Sequence, residues 1–214
     1  MLNVLYEDNH IIVCIKEKGI LSQEDISGKD DMLTIIKKYI KEKYHKEGNV
    51  YLGLVHRLDI NTSGVMVFAR TSKAASRLSK AINDNEFKKE YHALVEGRFE
   101  SNTTQTIKSY LRKDEKERKA YIDDNGKYAE LSFQPIKEYS IDNNMVTLIN
   151  VKLKTGRFHQ IRCQMASIGH PLYGDKKYGS LNPNDKYYLC AYSLSFPHPI
   201  TKEIMTFTME EKWN

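Results

Sequence analysis

The chain has 214 residues, of which 40% are hydrophobic, and this is enough apolar material for a proper core. It contains no apolar run long enough to cross a membrane, and Glu7 and Asp8 interrupt the N-terminus before a signal-like region could develop. We therefore expect a soluble, cytoplasmic protein without membrane association. The formal net charge of +5 favours a polyanionic partner, and basic residues are in excess from Arg70 to Lys119. The three cysteines lie far apart without metal-ligand spacing, so they predict buried thiols rather than disulfides or a zinc site.

The first half of the sequence predicts strands and two amphipathic helices. Residues 3–15 are typical of a strand, a turn and a second strand. Apolar residues at helical spacing predict one helix that contains Met32 and another that is capped by Ser72. Residues 65–69 form an apolar run that predicts a buried strand. The polar segment before it, residues 55–64, is then a loop anchored by the sheet, where catalytic groups tend to be held.

The second half predicts further strands and one more helix. The strands are expected at residues 91–95, 145–153, 187–196 and 204–209. A turn signal at residues 123–126 closes a charged, hairpin-like insertion at residues 108–127. Residues 161–168 carry helical spacing. Because the sequence contains no repeat, linker or composition break, these elements predict one α+β domain over residues 1–214, with a central mixed, mostly antiparallel sheet flanked by helices.

Two polar segments contain residue types that are typical of an active site. The first reads VHRLDINTSG over residues 55–64 and contains Asp59, and the second reads KTGRFHQIR over residues 154–162. An isolated Arg-x-Asp pair is more often a structural salt bridge, and a lone helical arginine is more often a surface residue. Together, however, the two segments resemble the hallmark motifs of the RluA-type pseudouridine synthases. The likeness also includes KKEYHALV and LSFPHP, and it extends over nearly the whole chain, from Val4 to Phe207.

This resemblance implies a cofactor-independent isomerase that converts uridine in RNA to pseudouridine at a cleft across the sheet. The reaction breaks the bond from uracil N1 to ribose C1′, turns the base and rejoins it through C5, so it requires no metal or organic cofactor. The resemblance makes Asp59 the nucleophile or catalytic carboxylate. It also implies that Tyr91 stacks on the flipped uracil and that Arg162 pairs with Asp59. A buried carboxylate needs such a cation to stay ionised near neutral pH.

Other polar residues of these segments are expected to contact the substrate or to shape the site. The resemblance implies that His56 and Arg57 contact the RNA backbone or occupy the space left by the extruded base. Thr62, with Ser63 and Gly64, is expected to shape the loop. In the second segment, the residues expected to organise the loop, touch phosphate or border the base are Arg157, His159, Gln160 and Ile161.

One face of the second helix is a further candidate for RNA binding. Lys73, Arg77 and Lys80 recur at positions i, i+4 and i+7, so they line one side of the helix. We expect them to contact RNA phosphates. The alternative is that this face is only solvated, as charged helix faces commonly are.

The resemblance leaves the substrate open between rRNA and tRNA, with a stem-loop or bulge as the expected target because a base must be extruded to react. Only 55 residues precede His56, so we expect no separate N-terminal RNA-binding domain. The sequence also indicates no obligate protein partner.

Residues 16–19 read KEKG where many relatives have N-K-P-x-G. One alternative is a non-catalytic RNA-binding protein with the same fold. The other is an N-glycosidase, which would usually need a second carboxylate or a positioned water.

Overall fold

The computed structural model describes residues 2–25, 28–182 and 186–209. The chain forms two compact units, one made of the residues up to Lys89 and from Ala191 onward, the other of Glu90–Cys190. Both combine strands with helical segments, which confirms the predicted α+β class. That residues 1–214 make one catalytic domain stays a prediction. Within the described ranges, no helix is both long and apolar enough to span a membrane.

Eleven strands and three α-helices occur in the described residues, together with a short 3-10 helix at Lys176–Tyr178. In chain order they are β1 (Asn3–Glu7), β2 (Ile11–Lys16), α1 (Met32–Tyr44), β3 (Gly53–Leu54), β4 (Ser63–Ala69), α2 (Ser72–Asn83), β5 (Lys88–Glu96), β6 (Gln105–Asp114), β7 (Lys119–Ile122), β8 (Lys127–Ile141), β9 (Asn144–Leu153), α3 (Gln160–Ser167), β10 (Leu189–Pro197) and β11 (Ile204–Thr208). The strands and helices predicted from the sequence are all present, with ends that differ by a few residues, whereas β3 and β8 were not predicted. The three cysteines are buried free thiols, as predicted.

The first unit is built on antiparallel pairing around β2 and β4. Strand β2 pairs with both β1 and β4, the short β3 adds to β4, and β10 pairs with β11. Every residue of β2 is buried. The unit's core cluster takes side chains from β2, β4, α2 and β10, among them Ile11, Val13, Val67, Leu78, Leu194 and Phe196. Burial of these apolar side chains is what holds α2 against the strands.

Helix α2 begins at Ser72, so the residue that caps it differs from the predicted one. The cap is Thr71, whose Oγ1 accepts a hydrogen bond from the backbone N–H of Ala74 at 3.1 Å. The prediction of Ser72 as the cap was therefore wrong by one residue. An N-cap residue has extended backbone angles, and Thr71 has them, with φ −140° and ψ 152°.

The second unit has the strand order β5-β9-β8-β6-β7. Strands β9, β8, β6 and β7 pair antiparallel with their neighbours, and the turn at residues 123–126 joins β7 to β8 as predicted. Helix α3 packs on β6 and β7. Gln164 of this helix is fully buried, and its Nε2 donates hydrogen bonds to Ser109 Oγ at 2.9 Å and to the Ala129 carbonyl at 3.2 Å. These bonds fix the helix against the strands.

Strands β4 and β10 approach each other closely at Gly64. The residue has φ +143°, and a Cβ atom there would lie 2.5 Å from the Ala191 carbonyl oxygen and 2.6 Å from the Ala191 nitrogen. Gly64 was expected in a loop, where it would permit a tight bend. It lies instead within β4, paired with Lys16 of β2. Because glycine has no side chain, the backbone of Ala191 in β10 can lie close to it.

Gly64→Ala should lower the free energy of unfolding by about 2 kcal/mol or more, because the added methyl group would clash with the backbone and the Cβ atom of Ala191, which cannot move aside alone, and because the positive φ disfavours a side chain. Urea denaturation followed by circular dichroism measures this change. Gly48→Ala is the control, since no atom lies within 4 Å of its added Cβ. We expect that variant to stay within about 0.5 kcal/mol of the parent. Equal stability of the two variants would contradict the close approach.

Candidate active site

Asp59 lies in a turn whose backbone is fixed on both sides. The N–H of Thr62 donates to the Asp59 carbonyl at 3.0 Å, which closes the turn. On the other side, the buried Ser22 hydroxyl donates to the Leu58 carbonyl at 2.8 Å and accepts from the Leu58 N–H at 3.0 Å. The Asp59 residue itself is only partly buried. The chain therefore holds this carboxylate on a rigid turn at the surface of the first unit, as catalytic groups require.

Lys16 at the end of β2 completes the support of this turn. Its side chain is fully buried, and its ammonium donates to the carbonyls of Glu17 at 3.1 Å, Ile60 at 3.1 Å and Thr62 at 2.8 Å. Burial lowers the pKa of Lys16 to about 8, while the negative charges of Asp59 and Glu17 act in the opposite direction. Asp59 is thus close enough to stabilise the ammonium. The sequence had assigned Lys16 no role at the site.

His56 and Arg57, both predicted to contact RNA, have different surroundings. His56 is buried, its Nε2 accepts a hydrogen bond from the Val67 N–H at 3.1 Å, and its ring meets Phe87 edge-on at 5.2 Å between centroids. Burial lowers the pKa of His56 to about 3, so the ring is neutral at pH 7. These contacts tie the loop to β4. Arg57 is exposed and can reach an external ligand.

In the second unit, Arg162 forms a buried ion pair that the sequence did not predict. Its Nε donates to Asp175 Oδ2 at 2.6 Å and its Nη2 to Asp175 Oδ1 at 2.8 Å. The guanidinium carbon also lies 4.9 Å from the ring centre of Tyr178 and 4.5 Å from that of Tyr187. A two-point carboxylate contact between aromatic rings fixes the plane of an arginine. The pairing of Arg162 with Asp59 stays a prediction.

His159 supports the same arginine. Arg162 Nη1 lies 2.9 Å from His159 Nε2, and the hydroxyl of Tyr178 lies 2.9 Å from His159 Nδ1. A guanidinium can only donate, so Nε2 accepts and the ring proton is on Nδ1, which donates to Tyr178. Burial first, and then the charge of Arg162, lower the pKa of His159 to about 3. The neutral ring holds the arginine and has no charge to offer a phosphate.

Gln160 organises the loop before α3, which is one of the roles expected for it. Its side-chain oxygen accepts from the hydroxyl of Thr155 at 2.8 Å and from the N–H of Arg157 at 2.9 Å, and its Nε2 donates to the Glu130 carbonyl at 3.1 Å. Gln160 is buried, and so is its neighbour Ile161. Arg157 is exposed, so it is the member of this group that can meet an external phosphate.

The predicted basic face of α2 is only partly available. Lys73 is exposed. Arg77 donates through Nη1 to the Pro199 carbonyl at 2.8 Å, and Lys80 forms an ion pair with Asp84 one helical turn later. A carbonyl contact leaves the charge of Arg77 in place, and an exposed ion pair is weak enough to exchange for a phosphate.

Tyr91, the third predicted catalytic residue, lies in β5 and is buried to all but 6% of its surface. In the described ranges, no three His, Cys, Asp or Glu side chains come together in a way that could hold a metal ion. Comparison with known proteins identifies the family of the chain. A family model described as RNA pseudouridylate synthase matches residues 10–167. The chain belongs to this family. Its members are isomerases, and the resemblance to the RluA type is confirmed by the relatives.

Three curated relatives show the likeness over nearly the whole chain. The dual-specificity RNA pseudouridine synthase RluA of Haemophilus influenzae is 32% identical over 96% of this chain and 91% of its own length. An uncharacterized RNA pseudouridine synthase of Aquifex aeolicus is 33% identical over 98% of this chain and 69% of its own. The ribosomal large subunit pseudouridine synthase C of Buchnera aphidicola subsp. Schizaphis graminum is 34% identical over 95% of this chain and 65% of its own. Against several such relatives, the chain spans only about half to two thirds of their length.

Two solved structures share the fold. Human RNA pseudouridylate synthase domain containing 1 superposes with a TM-score of 0.79 at 20% identity, over 99% of this chain and 84% of its own. The corresponding human domain containing 4 gives a TM-score of 0.77 at 19% identity, over 99% and 89%. At these identities the likeness shows the fold alone.

Loss of the Arg162–Asp175 ion pair should account for most of the stability that is lost when either residue is replaced. Arg162→Met or Asp175→Asn alone should lower the free energy of unfolding by about 3 kcal/mol, because each leaves a buried charge or polar group without its partner. The double variant should cost clearly less than the sum of the two. Urea denaturation of the parent, the two single variants and the double variant gives the coupling energy.

The matched control is the exposed pair of Lys38 and Glu42, which are 3.9 Å apart on α1. The cycle of Lys38→Met and Glu42→Gln should give a coupling below about 0.5 kcal/mol. If the buried pair coupled as weakly as the exposed one, Asp175 would not be the group that compensates the charge of Arg162.

Proposed function

We propose that this protein isomerises uridines of structured rRNA or tRNA to pseudouridine, with Asp59 as the catalytic carboxylate. The observation that carries the proposal is the turn at Asp59, which is fixed through Leu58 on one side and through Thr62 on the other while the carboxylate stays accessible. Such a group can attack C1′ or stabilise the positive charge that develops there. The family supplies the reaction, and the geometry supplies the candidate residue.

Tyr91 and Arg162 complete the proposed site. Tyr91 stacks on the extruded uracil and takes part in proton transfer. Arg162 pairs with Asp59, and its fixed guanidinium plane supports an orienting role, since Asp175 and His159 hold the group in one position. Exposed Arg57 and Arg157 are our candidates for phosphate contacts. The buried His56 and Gln160 act through the loops that carry them.

The proposed substrate is a stem-loop or bulge, because an enzyme that acts on a base must extrude it from its stack. The Buchnera relative is named for the large ribosomal subunit, and the Haemophilus relative is named as having dual specificity. These names support structured cellular RNA as the substrate class. We further propose that the protein acts in the cytoplasm, where rRNA and tRNA are available.

Asp59→Asn should abolish isomerisation while folding and RNA affinity stay near those of the parent, because the carboxylate belongs to the chemical step and phosphate contacts dominate affinity. The measurement is a map of pseudouridine positions in RNA incubated with each protein, with free uracil assayed in the same samples. Residual turnover above about a tenth of the parent's would contradict the assignment.

The same experiment separates the competing functions. Asp124→Asn is the matched control, since it makes the same chemical change in the exposed turn between β7 and β8, and it should keep full activity. Free uracil without pseudouridine would mean an N-glycosidase. RNA binding without either product from the parent protein would mean a non-catalytic RNA-binding protein.

The basic face of α2 is proposed to contact RNA phosphates. Replacing Lys73, Arg77 and Lys80 with Gln should weaken binding and make its salt dependence shallower, by up to about one unit of slope for each phosphate that the protein no longer neutralises. Filter binding or fluorescence anisotropy over a range of salt concentrations gives both quantities.

The control variant replaces Lys37, Lys38 and Lys41 of α1 with Gln and so removes the same amount of charge. A loss of affinity confined to the α2 variant supports a specific face. Equal losses in the two triple variants would mean that only net charge matters, and an unchanged slope would mean that the α2 face is merely solvated.

A further inference from the structure

We propose that Lys16 is a positioning residue for Asp59, because its ammonium holds the turn at Ile60 and Thr62 and provides positive charge beside the carboxylate. The inference rests on the proposed catalytic role of Asp59.

The first support is the hydrogen-bond geometry. The three N–H groups of the fully buried ammonium have three carbonyl acceptors, at Glu17, Ile60 and Thr62, over distances of 2.8–3.1 Å. Two of these carbonyls follow Asp59 on its C-terminal side. If the turn shifted, a buried charged group would be left short of an acceptor, and this is costly. The position of the turn is therefore coupled to the ammonium.

The second support is the distribution of charge. The three acceptors are uncharged carbonyls, and the negative groups that face Lys16 are Asp59 and Glu17. Glu17 is exposed, where water screens its charge, whereas Asp59 is partly buried. Asp59 is then the main counter-charge of the ammonium.

A lysine with only a structural role would affect stability but not the pH dependence of the reaction. Removing a positive charge beside Asp59 should raise the pKa of that carboxyl relative to the parent, so the acidic limb of the rate profile should move to higher pH. The pH profile of the chemical step therefore separates positioning from simple support of the fold.

The test uses Lys16→Met, which keeps most of the length of the side chain and removes its charge and donors. In single-turnover assays near neutral pH, the rate should fall about 100-fold, with RNA affinity unchanged. The acidic limb should move upward by about one pH unit. Lys38→Met, at an exposed lysine of α1, is the control and should match the parent. A folded Lys16→Met protein with the parent's rate and profile would overturn the proposal.

Asp59→Asn, assayed beside it, distinguishes this proposal from the function on which it rests. An active Asp59→Asn protein would refute the catalytic role of Asp59, and with it the need to position that residue. An inactive Asp59→Asn protein together with a normal Lys16→Met protein would refute the positioning role alone.

The parent protein provides a second measurement if Lys16→Met fails to fold. Because the pKa of Lys16 is lowered to about 8, the ammonium loses its proton at mildly alkaline pH. The single-turnover rate should then decline above about pH 8 while binding and circular dichroism stay constant, and Lys16→Arg should move that decline to higher pH. A parent rate that is flat up to about pH 9.5 would overturn the proposal.

Discussion

Burying an ammonium ion costs several kcal/mol unless its donors and its charge are both satisfied. At Lys16 the donors are satisfied by carbonyls of the turn that carries Asp59, so the stability of the first unit and the geometry of this turn depend on the same group. The register of β2 on β4 sets Lys16 opposite Gly64, and Gly64 admits the backbone of Ala191. The end of the β2–β4 pair thus determines how β2, β4 and β10 pack together. It also determines where the Asp59 carboxylate lies.

The second unit also buries a positively charged group, and here a complete ion pair compensates its charge. Arg162 is buried, and its charge is offset by Asp175 through two hydrogen bonds, while His159 is kept neutral so that it can accept a third. The nearby Tyr178 ring and hydroxyl complete the arrangement. A guanidinium in such surroundings has almost no freedom to reorient. Rigidity of this kind suits an orienting group, since the cost of ordering it is met on folding and not during the reaction.

The order of strands and helices could be predicted because apolar periodicity is a local signal. The exceptions were the two-residue β3 (Gly53–Leu54), which is too short to show a period, and β8 (Lys127–Ile141), where exposed charged residues masked an alternation of buried ones. The site was harder. Asp59 could be found from its motif, but Asp175 could not be assigned to Arg162, because an ion pair across thirteen residues leaves no pattern. Lys16 follows an apolar run and looks like the exposed end of a strand, while its acceptor Ile60 is 44 residues away.

The discontinuity of the first unit has a consequence for the order of events during synthesis. Its strands β10 and β11 are encoded after almost the whole of the second unit, Glu90–Cys190. At typical elongation rates, a ribosome needs about 5 to 20 s to translate such an intervening stretch of about 100 residues. During that interval, the apolar edge of β4 has emerged without the Leu194 and Phe196 side chains that later join its core. The first unit therefore completes its core only after the residues of the second unit have been synthesised.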